Sequence, residues 1–282
     1  MGRPRAVEGL MEVDRRAFLA TVGVGALEFM SPEDKAEELE HYMEHMLDDA
    51  IAARDGTEAV RYMPDGEALA LAELQQEPRS PRGTGRLFMP RSHEYAPMST
   101  NPTLVEYFEK RFAPANHVLQ SATYALETGQ TERTIFACLM HDVVLNMIKV
   151  DHGWWGAQLI EPYVDERISW GIRYHAPLRF YPDDTVGYEY PEMYNRIFGE
   201  DYVPEPYIAR AAKEAQEHPW YMEARLITLN DTYAFDEDKV VSLDPFVDII
   251  GRQFKQPKEG LGFDNSPSSH MWRTIMNPDR PL

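Results

Sequence analysis

Residues 135–144 read Ile-Phe-Ala-Cys-Leu-Met-His-Asp-Val-Val. Ile135, Cys138 and Leu139 recur at the spacing of one helical face, so the run predicts a helix buried in a core. That helix carries an adjacent imidazole and carboxylate, His141-Asp142, toward the interior. An unpaired charge is costly to bury, so such a pair needs a partner, most often a metal. A His-Asp dipeptide is common by chance. Its meaning depends on whether further ligand types occur on neighbouring helices.

The flanking segments are helical in period. Upstream, 103–112 carries Leu104, Tyr107 and Phe108, and 116–126 carries Val118, Leu119, Ala122 and Leu126. Gly129 then stops a helix and Thr131 caps the next. Downstream, 157–163, 166–174, 205–217 and 220–231 repeat the pattern. Alternating strand patterns are nearly absent, so the expected class is all-α. Ser31-Pro32-Glu33-Asp34 opens an earlier helix, running to about Arg54, with serine as cap and proline at its first position. A short helix is expected over 66–76, then a Pro/Arg/Gly/Ser-rich arm over 78–102. The expected division is a tail over 1–30, a helical extension and arm over 31–100, a metal-binding domain over 101–255 and a tail over 256–282.

A net charge of −19 across 282 residues speaks against nucleic acid and an anionic membrane surface as partners. The single cysteine, Cys138, excludes an intramolecular disulfide framework and a thiolate cluster. No apolar run reaches the length of a membrane span. Arg15-Arg16-Ala17-Phe18-Leu19, followed by a short apolar stretch, is similar to a twin-arginine export signal. It departs from one in Asp14 and in Glu28. The other reading is an ordinary N-terminal helix. Location is cytoplasmic on that reading and periplasmic if the signal works.

Further ligand types do occur. His117 lies 24 residues before His141, and His152, His175 and Asp231 follow, each breaking or bordering an apolar stretch. Four imidazoles and two carboxylates spread over successive helices form a plausible dinuclear metal set for a helical bundle. His41 and His45 stand four apart in HYMEH and are expected to lie among solvated glutamates. His93, His218 and His270 are expected on surface loops. Trp154 and Trp155 are expected to wall a pocket or fill core.

The order His…His-Asp…His…His…Asp resembles the HD-domain superfamily. Residues 117–144 are similar to its first two ligand helices; DHGWWGAQLI and RYHAPLRFYP resemble its mixed-valence diiron oxygenase branch, the phosphonate-cleaving and inositol oxygenases, and NDTYAF resembles inositol oxygenase. The resemblance covers roughly 103–247 and implies an HD-type helical bundle. It implies one iron held by His117, His141, Asp142 and Asp231, and a second, bridged by Asp142, held by His152 and His175. O2 would be the co-substrate, and Mn2+, Zn2+ or Mg2+ are the alternative metals. Arg179, four residues after His175, would bind an anionic group, and Tyr107, ten before His117, would guard the open metal position. Two features depart from the relatives. Nine residues separate Asp142 from His152, a short connection, and HDVVLNMIK lacks their Asp-x-Gly-Lys or Asp-x-Gly-His continuation.

The function so implied is oxidative cleavage of a C–P or C–C bond, or hydroxylation, in a small anionic hydroxylated molecule. The alternatives are a metal-dependent HD phosphohydrolase and a non-catalytic helical binding protein. The N-terminal helix and the arm can dock on their own core or on a second copy, so a homo-oligomer is among the expected assemblies.

Overall fold

A computed structural model describes residues 11–56, 103–110, 112, 115–145 and 148–255. Of these, 11–56 and 115–255 belong to one compact unit, and 103–112 to another. The helix expected over 66–76, the arm, His93 and His270 lie outside the described residues.

The helices are α1 (Arg15–Val22), α2 (Val24–Leu27), α3 (Pro32–Asp55), α4 (Leu104–Lys110), α5 (Ala115–Glu127), α6 (Glu132–Met140), α7 (His152–Ile160), α8 (Glu166–Leu178), α9 (Met193–Phe198), α10 (Pro206–Glu217), α11 (Tyr221–Thr232) and α12 (Val247–Gln253). The chain is all-α: among the described residues the sole β feature is an isolated bridge between Asp183 and Tyr188. No helix among them is long and apolar enough to cross a membrane.

Local chemistry sets the ends. Ser31 caps α3 through a reciprocal box with Asp34, and Gly56 ends it in the left-handed region at φ 68°. Thr131 caps α6. Asp14 caps α1, so the Arg15-Arg16 stretch is a helix, with Phe18 buried in a core cluster beside Leu39 and Ile197.

In the larger unit α8 is central, packing on α6, α7, α10 and α11, while α5 packs on α6, α11 and α3. The C-terminal end of α8 is pinned by the buried Arg225, which donates to the carbonyls of Leu178 and Tyr181. Thr228 donates to the carbonyl of His175 at 2.7 Å, satisfying an acceptor near the helix end. Pro177 lies inside α8 without ending it before Leu178. Two short helices, α9 and α12, are not among the helical patterns read from the sequence, and α7 begins at His152 rather than at residue 157. From the region read as a helical extension, α3 belongs to the same compact unit as α5–α12.

Candidate metal centre

Four imidazoles and two carboxylates from five helices or their ends meet inside the larger unit. His117 sits in the first turn of α5, and His141 caps the C-terminus of α6, with Asp142 next in a tight turn. His152 opens α7, His175 lies in the last turn of α8, and Asp231 lies near the end of α11. None of the six is more than 4 % exposed. The short connection from Asp142 to His152 is closed by Asp151, which adopts φ 55°, a left-handed conformation that Asp tolerates better than most residues. That reversal starts α7 with its first side chain facing Asp142.

In each imidazole Nδ1 faces an acceptor. His117 Nδ1 is 3.2 Å from the Ala234 carbonyl, and His141 Nδ1 is 2.8 Å from the Cys138 carbonyl. His175 Nδ1 is 2.6 Å from the Ile172 carbonyl, and His152 Nδ1 is 2.5 Å from Glu37 Oε2. Carbonyls and carboxylates only accept, so Nδ1 carries the hydrogen in all four rings. Their Nε2 atoms therefore turn inward. His117 and His141 bring theirs to 3.3 Å, and His152 and His175 to 3.2 Å.

Asp142 lies between the two pairs. Its Oδ2 is 3.1 Å from His141 Nε2 and 3.4 Å from His117 Nε2, while its Oδ1 is 3.2 Å from His152 Nε2. Asp231 Oδ1 is 3.1 Å from His117 Nε2 and 3.7 Å from His141 Nε2. Both Asp142 oxygens and Asp231 Oδ1 are buried without a hydrogen-bond partner. Neutral imidazoles would oppose lone pair to lone pair at these distances, so the centre needs protons or cations. Without a cation, burial disfavours charge on His141, yet Asp142 and Asp231 outweigh it and raise its pKa well above the usual value. His152 behaves likewise, with Glu37 the main opposing charge. Burial, then the charges of His141 and His152, lower His175 to about 3.

The donor spacing suits cations. Two donors each about 2.1 Å from one ion stand ~3.0 Å apart at a right angle and ~3.4 Å at a tetrahedral one. His117–His141–Asp142, His141–His175–Asp231 and Asp142–His152–His175 are each grouped closely enough to hold an ion. Imidazole and carboxylate without thiolate suit iron, manganese or zinc.

Three carboxylates at the centre escape the sequence reading. Buried Glu37, Glu40 and Glu44 lie along one side of α3, with Leu39, Met43 and Leu47 buried on the same helix. The glutamates around His41 are therefore interior groups, correcting the expectation of a solvated face, and His41 itself is buried. The signal available was the register of Glu37, Glu40 and Glu44 with an apolar stripe three and four residues apart. Glu37 also accepts from Arg179 Nη2, and Glu40 from Arg179 Nη1. Glu37, Glu40 and His152 make a further group of potential ligands.

Arg179 thus departs from its expected role. It is 3 % exposed, and both terminal nitrogens are engaged by Glu37 and Glu40, so it serves as the counter-ion of two buried carboxylates rather than facing an open anion site. Tyr107 belongs to the smaller unit, where it is buried against Phe108 and Phe112. Trp154 and Trp155 are partly exposed, neither core nor fully enclosed wall. His218 stacks on Trp170, half-buried rather than free on the surface.

No family model matches the chain. It is 31 % identical over 103 residues to [1-hydroxy-2-(trimethylamino)ethyl]phosphonate dioxygenase (glycine-betaine-forming) of Leisingera caerulea, a match covering 33 % of this chain and 50 % of that protein. The chain therefore spans about half the length of the curated relative it matches.

Proposed function

We propose that this chain is an HD-type diiron oxygenase that oxidatively cleaves a C–P or C–C bond, or hydroxylates, in a small anionic substrate bearing a hydroxyl group. The observation that carries the reading is the position of Asp142, whose two oxygens face two different histidine groups and so can bridge a pair of ions. On this reading His117, His141, Asp142 and Asp231 hold one iron, and Asp142, His152 and His175 the other. The distant relationship to a phosphonate dioxygenase supports O2 chemistry over hydrolysis.

Bound iron would supply the electrons and the Lewis acidity that O2 chemistry requires. The protein's own part is positional. The Nδ1 hydrogen bonds fix each ring so that Nε2 faces inward, as outer partners of metal-bound histidines do. Complete burial of the ligands keeps bulk water from them. With Arg179 held by Glu37 and Glu40, the attraction for an anionic substrate comes from the cationic centre.

The test is anaerobic purification, metal quantification and EPR after partial oxidation. About two irons per chain with a mixed-valence signal are expected. O2 uptake with 1-hydroxyalkylphosphonates and 2-hydroxy acids then reads the substrate class. A single zinc, manganese or magnesium with turnover of a generic phosphate ester would establish the phosphohydrolase instead.

A further inference from the structure

Among the carboxylates that α3 brings to the centre, Glu37 and Glu40 are matched by cationic or N–H partners: Arg179 for both, and His152 Nδ1 for Glu37. Glu44 is different. It is fully buried, and neither carboxylate oxygen has a hydrogen-bond partner. Its Oε1 is 4.0 Å from His117 Nε2, and the Asp142 carboxylate stands beside it. A carboxyl buried this way and set beside a second carboxylate stays ionised only if a cation meets it.

We propose that Glu44 is an additional metal ligand on the His117–His141–Asp231 side of the centre, supplied by a helix outside the predicted metal-binding domain. This rests on the two-metal reading above. The donor spacing permits it, because two donors on opposite sides of one cation stand up to ~4.2 Å apart. Glu44 then adds a fifth donor residue to that side, while the other side keeps His152, His175 and Asp142. The two ions differ in how firmly they are held, and α3 is part of the centre rather than a cover over it.

The experiment loads the full chain anaerobically with ferrous iron and follows its release to a chromogenic chelator. Thermal melting is recorded with and without iron. The wild-type chain should release iron in two phases, the slower from the Glu44 side; His175→Ala, lacking the other position, should retain that slow phase alone. Glu44→Gln should accelerate the slow phase at least ~10-fold and leave the fast phase unchanged. Its iron-free form should melt at or above the wild-type temperature, since a buried carboxyl crowded against Asp142 has been replaced by a neutral amide of the same shape, while the rise in melting temperature on adding iron shrinks. Glu44→Asp should fall between the two in release rate. An unchanged slow phase in Glu44→Gln overturns the proposal, and so does a lowered melting temperature of its iron-free form, which marks a structural role. A wild-type chain that holds one ion would sink the two-metal reading instead. The Glu44 variants would still report on that ion, accelerated release supporting the ligand and unchanged release rejecting it.

Discussion

Glu37 Oε2 accepts a hydrogen bond from His152 Nδ1 at 2.5 Å, across 115 residues of sequence. The contact fixes the His152 tautomer and aims Nε2 at Asp142. Glu37→Gln keeps an acceptor but removes the charge that favours a more basic Nε2 and pairs with Arg179. Loss of such an outer carboxylate typically weakens metal binding ~10–100-fold. The variant should lose affinity at the His152–His175 position and keep the other, read by metal titration with each position resolved.

The two halves of the centre are separable on the His175 side and inseparable at Asp142. His175→Ala should leave about one metal per chain, because His117, His141, Asp142 and Asp231 remain together. Asp142→Asn removes the carboxylate facing both histidine pairs and should reduce content below about one. Elemental analysis of freshly purified protein decides it. Two ions retained in His175→Ala would mean that the second position is held by other residues.

Metal loading should release protons. Without metal, Asp142, Asp231 and Glu37 favour the charged forms of His141 and His152 against the effect of burial. A metal needs their Nε2 atoms unprotonated, so affinity should climb as pH rises above the ordinary histidine range toward the raised folded-state values, with up to about two protons displaced. The sign for stability is opposite. Groups with raised folded-state pKa values stabilise the metal-free fold below the ordinary histidine value and lose that contribution as pH rises through the folded-state pKa. Calorimetry in buffers of different ionisation heat measures the proton count, and a release of none would contradict it.

Much of this was legible in the sequence because it is local or periodic. The apolar spacing of α5, α6 and α11 exposes His117, His141 and Asp231 as polar intruders, and Ser31 and Thr131 announce two helix starts by capping chemistry. The burial of the α3 acids was legible only in their register with Leu39, Met43 and Leu47. Acidic residues normally mark a solvated face, and what offsets their burial lies far along the chain: Arg179, more than 130 residues from Glu37 and Glu40, and His152. No local pattern encodes such pairing, and the same pairing engages the Arg179 that the resemblance assigns to an anionic group. Helices α9 and α12 were missed because they are short, with six and seven residues, and owe their stability to packing rather than intrinsic propensity.

Arg179→Met should destabilise the fold through the charges it leaves behind. Both Glu37 and Glu40 would remain buried without their guanidinium, and breaking one side of a buried ion pair costs about 3–5 kcal/mol. The deficit should depend on pH. Glu40 is pushed up to about 7 by burial, with Arg179 opposing the shift, so removing Arg179 raises it further. A carboxyl with a raised folded-state pKa weakens the fold increasingly as pH climbs from its unfolded value toward the folded one. The loss should therefore be largest above about pH 7 and shrink on acidification. Denaturant melts at several pH values test this, and a pH-independent deficit would point to lost packing alone.

Gly153 is where α7 passes closest to α8. A Cβ there would lie 2.7 Å from the Ile172 carbonyl oxygen and 2.9 Å from His175 Cε1. The same carbonyl accepts the Nδ1 hydrogen bond that orients His175. Backbone oxygen cannot retreat as a flexible side chain can, so Gly153→Ala must separate the helices or turn the His175 ring. Overpacking of this kind typically costs about 1–3 kcal/mol. The variant should melt lower and bind the second metal at least ~10-fold more weakly, while the His117–His141 position is spared. Gly156→Ala, one turn along α7, is the control: its Cβ would meet Val143 Cγ1 at 3.4 Å, an ordinary contact, and should disturb neither metal. Equal effects from the two substitutions would show that α7 responds to lost flexibility and not to the close approach at His175.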